Sequence, residues 1–278
     1  MKNILIPSDF SENSWNATKY ALSLFKNTPC NFYLLHVTLI SYVAGGEAPL
    51  MPTGVIEETL LKQAKKALQK LLNKVKKLSQ NPEHHFFTVS SYNFFIDAVK
   101  EQIEEKKIDI IVMGTKGASG LSKIIIGSNT GDLITRIKCP VLIVPENTKF
   151  KPPKEIAFPT DYNIFYQSKI LNSISELAKM FDSSIRIVHI TKKNEELTPF
   201  QIENKESLNT YFADEKYSFH KITNTKIEVG VQCFVESRDI DMIIMIAKNL
   251  NLFQRILFKP TVEDISYHTD IPFFVLHE

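Results

Sequence analysis

Cysteine is scarce, with Cys30, Cys139 and Cys233 the three in 278 residues. They lie far apart, form no C-x-x-C pair and are odd in number, which argues against a disulfide framework and a zinc site; they read as buried, reduced thiols. The seven histidines do not fall at metal-ligand spacing, and His84 and His85, being adjacent, would point to opposite faces of an extended segment. No metal bound by the protein alone is expected. No stretch approaches the ~20 apolar residues that span a bilayer, and the opening MKNILIPSDF holds too short an apolar run for a signal peptide, so a cytoplasmic location is expected. Charge of one sign is also lacking: a formal net charge of +2 calls for neither nucleic acid nor an anionic membrane as main partner. There is no P-loop lysine motif, and no general base or metal-binding carboxylate pair stands beside the glycines described below.

With 44% hydrophobic and 23% charged residues, the chain has the composition and length of a globular protein of two domains. Residues 3–7, NILIP, read as a buried strand running into the polar turn Ser8-Asp9-Phe10-Ser11 and a helix carrying Trp15, Ala17, Ala21, Leu22, Leu24 and Phe25. A second strand follows over 31–37, then a loop rich in glycine and proline. From Glu57 to Leu78 the apolar positions recur at three and four residues beneath a lysine-rich outer face, which predicts a long amphipathic helix with acids at its start and Lys76 and Lys77 at its end. A strand at 85–90, a helix at 94–106, a strand at 108–113, a helix opening near Ser128 and a strand at 141–144 complete the half. Continuous apolar strands alternating with helices indicate a parallel sheet covered by helices on both faces.

KFKPPK, residues 149–154, reads as a linker, after which the pattern restarts. EIAFPTDY (155–162) echoes NILIPSDF (3–10), so Asp161 stands for Asp9; IRIVHI (185–190) echoes the second strand, with His189 for His36. IDMIIMIA (240–247) echoes 108–115, and IPFFVL (271–276) echoes 139–144. The offset falls from 152 at Asp9 and Asp161 to 132 at Ile108 and Ile240, so the second half has lost that difference in its middle, where the loop after Ile190 is expected to be shorter. The expectation is a tandem duplication, domains 1–148 and 149–278.

Gly114, Gly117, Gly127 and Ser128 are spaced G-x2-G-x9-G-S between a strand end and a helix start. Missing β-carbons let backbone N–H groups approach phosphate oxygens, and a helix start adds orphan amides and the positive end of its dipole. Ser128, Asn129 and Thr130 offer further donors, and Lys116 or Lys123 a positive charge. These segments would face each other across a groove at the carboxyl ends of the strands, where open parallel sheets bind ligands. Asp9 closes the first strand on that edge. It reads equally as an acceptor for ribose hydroxyls or an adenine amino group and as a cap of the first helix.

The glycine spacing, Pro7-x-Asp9-x-Ser11, His36-Val37 and Cys139-Pro140-Val141-Leu142-Ile143-Val144 resemble the universal stress protein family across the first half, and in outline across the second. The resemblance implies two doubly wound α/β domains, each a five-stranded parallel sheet of order 3-2-1-4-5 flanked by helices. It implies adenine nucleotide, ATP or else ADP or AMP, on Pro7, Ser8, Asp9, Val37, Met113, Gly114, Thr115, Lys116, Gly117, Gly127, Ser128, Asn129 and Thr130, with Asp9 and Val37 on the adenosine part and the glycines and Ser128 on the phosphates. Mg²⁺ would be held mainly by the phosphates, helped by Ser128 or Thr130. In the second half the matching positions are Ile246, Asn249, Lys259 and Pro260; side chains and a missing N–H replace bare backbone, while Thr261 and Asp264 keep a capping pattern. Asp161 is expected to remain as a helix cap.

The function expected is therefore a nucleotide-binding stress-response or regulatory protein with a structural or interaction-mediating second domain and no assigned catalytic residue. Two alternatives stand beside it. One is a slow ATPase or nucleotidyl-transfer enzyme using Asp9 or His36. The other is a scaffold that binds a small molecule or protein through the second domain's apolar residues, among them Ile246, Leu250 and Phe253. The two halves would pair within the chain through their last strands, and a homodimer is a further partner expectation.

Overall fold

The computed structural model describes residues 1–38, 53–115, 128–224, 226–247 and 271–277, apart from the side chains of 53–56 and 128. They fall into two compact units, one ending at Phe150 and one beginning at Lys151.

In the first unit the elements run β1 (Lys2–Pro7), α1 (Glu12–Leu24), β2 (Cys30–Thr38), α2 (Thr53–Leu78), β3 (His84–Tyr92), α3 (Phe95–Lys106), β4 (Ile110–Gly114), α4 (Ser128–Arg136) and β5 (Val141–Val144). The strands are parallel in the order β3-β2-β1-β4-β5. Ile4, Leu5 and Ile6 on the central strand are all completely buried. Consecutive buried residues on a strand require cover on both faces, so the apolar run NILIP could only be an interior parallel strand. Helix α2 begins four residues before Glu57 and has no acid in its first turn, so the dipole match expected at its start is absent, while Lys76 and Lys77 do occupy its last turn. His84 is buried and His85 exposed, as alternation along a strand dictates.

The second unit runs β6 (Glu155–Pro159), α5 (Ser168–Phe181), β7 (Ser184–Thr191), α6 (Pro199–Tyr211), β8 (Tyr217–Thr223), α7 (Ile227–Ser237), β9 (Met242–Ile246) and β10 (Phe273–Leu276), with parallel order β8-β7-β6-β9-β10. The same doubly wound order thus appears in each unit. Most of the shortening of the second half lies in a helix: α6 has 13 residues where α2 has 26.

Both units are tied alike at the amino ends of their central strands. Asp109, just before β4, accepts the Asn3 N–H at 2.8 Å, and Asp241, just before β9, accepts the N–H groups of Lys154 and Glu155 at 2.8 and 3.0 Å. Each carboxylate satisfies backbone donors at a sheet end. Of the cysteines, Cys30 and Cys139 are buried but Cys233 is exposed. Its helix α7 buries Gly230, Val231, Phe234 and Val235, and the 3.6-residue period puts Cys233 outside that stripe. Burial pushes the Cys30 thiol up to about 11, so it stays protonated and unreactive. No described helix is long and apolar enough to cross a membrane.

Candidate functional site

The carboxyl edge of the first unit gathers the turn after β1, the end of β2 and the end of β4. Pro7 pairs with Leu35 across β1 and β2, and Ser8 N–H continues that ladder to the Leu35 carbonyl at 2.8 Å. The Ser8 side chain is buried and used locally: its Oγ accepts from Phe10 N–H at 3.1 Å and shares a bond of 3.1 Å with Ser14 Oγ. Its carbonyl accepts from His36 Nδ1–H at 2.7 Å, which locks the end of β2 to the turn after β1.

Asp9 Oδ1 accepts from the N–H and hydroxyl of Ser11 at 3.0 and 2.6 Å, and the N-cap of α1 is Ser11, whose side chain accepts from Ser14 N–H. Asp9 therefore braces the cap without being it, and the turn leaves it partly exposed. Val37, beside His36, pairs with Ser91 of β3 and is half-buried.

At the end of β4, Met113 is buried and Thr115 half-buried. A β-carbon on Gly114 would meet Asn13 Cγ at 2.7 Å, so its bare backbone admits α1. The Thr130 hydroxyl donates to the Gly114 carbonyl at 3.1 Å and is 2% exposed. This bond ties the first turn of α4 to the end of β4. Asn129, beside it, is exposed. Lys116, Gly117, Lys123 and Gly127 lie outside the described residues, as do Asn249, Leu250, Phe253, Lys259, Pro260, Thr261 and Asp264 and the side chain of Ser128. Among the described residues no three His, Cys, Asp or Glu side chains converge as a metal cage.

The same edge of the second unit repeats the scaffold. His189 Nδ1–H donates to the Thr160 carbonyl at 3.0 Å, as His36 does to Ser8. Asp161 accepts Asn163 N–H at 3.0 Å, while the N-cap of α5 is Gln167. Asp161 closes a turn several residues ahead of the helix, which corrects its expected role as helix cap. Helix α6 then covers the edge, with Gln201 donating to the Asp161 carbonyl at 2.7 Å and Asn204 to the Tyr162 carbonyl at 2.9 Å. Among the described residues, Pro159, Thr160, Asp161, Ile164 and Ile246 line a recess of about 20 Å³, room for about one water molecule. Neither α6 nor its clamp was read from the sequence, although Thr198-Pro199-Phe200-Gln201 spells a capping box.

The family model for the universal stress protein family matches residues 1–145. The chain belongs to the universal stress protein family. A universal stress protein of Methanocaldococcus jannaschii is 33% identical over 154 residues, covering 55% of this chain and 85% of that relative. Universal stress protein A homolog 1 of Coxiella burnetii is 32% identical over 144 residues, covering 51% and 95%. A crystal structure of a universal stress protein from Archaeoglobus fulgidus aligns over 99% of this chain and 98% of its own, with a TM-score of 0.73 at 15% identity, and so shares the fold over both units. The sequence matches to the curated relatives are about one unit long.

Proposed function

We propose that the first unit binds an adenine nucleotide, ATP or a related mono- or diphosphate, and that this member of the universal stress protein family acts as a nucleotide-responsive regulatory protein. The observation that carries the reading is the 3.1 Å bond from Thr130 to the Gly114 carbonyl. It holds the start of a nine-residue helix against the end of β4, beside β1, where the strand order reverses. Such a switch point in an open parallel sheet leaves a crevice, and a helix start there directs backbone N–H groups toward an anion. Asp9, Val37, Met113 and Thr115 border the same edge, with Asp9 and Val37 for the adenosine part. Gly117, Gly127 and Ser128 are assigned to the phosphates from their sequence spacing, with Lys116 for charge. Mg²⁺ enters with the phosphates.

The second unit serves as a structural or interaction-mediating domain. Gln201 and Asn204 of α6 bind the turn after β6, and Ile246 stands where the first unit has Gly114, which supports a role other than phosphate binding.

The test is direct. Purified protein is denatured and the supernatant analysed by mass spectrometry for ATP, ADP and AMP, and fresh protein is titrated with each in a thermal-shift assay. Co-purified nucleotide, or a saturable rise in melting temperature that Gly127→Val removes, is the expected result. No nucleotide and no shift would sink the reading.

A further inference from the structure

Phe10 is a large apolar residue at the very edge where the nucleotide is placed, and its backbone is left-handed with φ 64°. Side chains beyond glycine and asparagine rarely adopt that region, so the surrounding bonds must impose it. They do: Phe10 N–H is held by Ser8 Oγ at 3.1 Å, and the ring stacks on His36 with centroids 4.4 Å apart and 29° between planes. His36 is itself fixed by its bond to the Ser8 carbonyl at 2.7 Å. The residue is nonetheless 38% exposed.

The second unit supplies an internal comparison. Tyr162 has the same left-handed backbone, φ 58°, and the same stacked partner, His189, at 5.0 Å and 28°. Tyr162 is 2% exposed, and Gln201 and Asn204 of α6 bind the carbonyls of residues 161 and 162. An aromatic ring held by a histidine on the β1-type turn is thus common to both units. One is covered by the protein's own helix and the other is presented outward.

We propose that Phe10 is a base-stacking residue of the nucleotide site: held on His36 one residue beyond Asp9, it offers its exposed ring surface to the flat ring of a purine. The inference rests on the nucleotide reading and assigns it a specificity device. Stacking on an aromatic side chain is tolerant of base identity but grows with ring area, so Phe10 favours purine over pyrimidine nucleotides and leaves the phosphate contacts alone.

The experiment compares wild type, Phe10→Leu, Phe10→Trp and Phe10→Gly by calorimetric titration with ATP, CTP and inorganic tripolyphosphate, after thermal melts establish that each variant is folded. Phe10→Gly suits the left-handed backbone and removes the ring without strain, which guards against a misfolded leucine variant. Loss of the ring is expected to weaken ATP about tenfold, to weaken CTP less, and to leave tripolyphosphate unchanged, with Phe10→Trp retaining the ATP preference. Wild-type ATP affinity in Phe10→Gly, or an equal loss of ATP and tripolyphosphate, overturns this inference alone. A wild-type chain that binds none of the three overturns the nucleotide reading with it.

Discussion

Asn13 of α1 lies against the bare Cα of Gly114, so closely that a β-carbon there would stand 2.7 Å from the Asn13 Cγ. The first glycine of the motif thus lets a helix approach the end of β4, a packing role separate from any contact with phosphate. Gly114→Ala forces α1 or β4 to move and is expected to destabilise the first unit by about 1–3 kcal/mol, read as a lower denaturant midpoint at unchanged m-value. An unaltered midpoint would show that Asn13 swings aside without penalty.

Thr130 makes the complementary link. Its buried hydroxyl donates to the Gly114 carbonyl, and Thr130→Val keeps the side-chain shape while leaving that carbonyl without this donor. The expected loss is about 1–3 kcal/mol of stability. Because the bond sets the start of α4, the nucleotide-induced thermal shift should shrink as well. A variant as stable as wild type with a full shift would mean that α4 is held by other contacts.

The strands were readable because buried parallel strands are uninterrupted apolar runs, and Ile4-Leu5-Ile6 and Ile243-Ile244-Met245 admit little else. The duplication was readable for the same reason, since the repeated strands carry it. Helix α6 was not, because its buried residues are Asn204 and Leu208 and a buried asparagine breaks the apolar period; Asn204 lies inside because it bonds the Tyr162 carbonyl. Edge strand β8, with no buried residue, lacks a continuous apolar run. At the site, spacing identified the strand ends and the turn containing Asp9. It did not separate Thr130, which faces inward, from Asn129, which faces out, nor distinguish Ser11 as the cap from Asp9 as its brace.

His220 on β8 makes the second unit sensitive to mild acid. Arg186 donates to Ser218 Oγ at 2.9 Å while its other nitrogens hold Glu155. The Ser218 hydroxyl also shares a hydrogen bond of 2.8 Å with His220 Nε2. Burial, then Arg238 and Arg186, push the His220 pKa below its ordinary value, Glu155 opposing them. With the folded pKa below the unfolded one, near 6.5, the contribution is complete above about pH 6.5 and is lost as pH falls through the folded value. His220→Gln is expected to flatten the melting temperature between about pH 7.5 and 5 relative to wild type. Parallel curves for the two proteins would refute the assignment.

Asp241 acts at the opposite end of the pH scale. Burial raises its pKa, but the Lys151 ammonium at 2.7 Å and the N–H groups of Glu155 and Lys154 outweigh that and hold it below the usual carboxylate value. A depressed carboxylate pKa stabilises above the unfolded value, near 3.9, and the contribution disappears as pH falls through the folded value. The two backbone donors should matter more than the lysine, which is 71% exposed and screened by solvent. Lys151→Ala is therefore expected to change stability at pH 7 by less than about 1 kcal/mol. Asp241→Asn, which keeps one acceptor oxygen but loses the charge, should lose about 1–3 kcal/mol, and the gap from wild type should close below about pH 4. A gap that persists to pH 2 would assign the loss to geometry, since protonation would then have failed to abolish the difference between the two side chains.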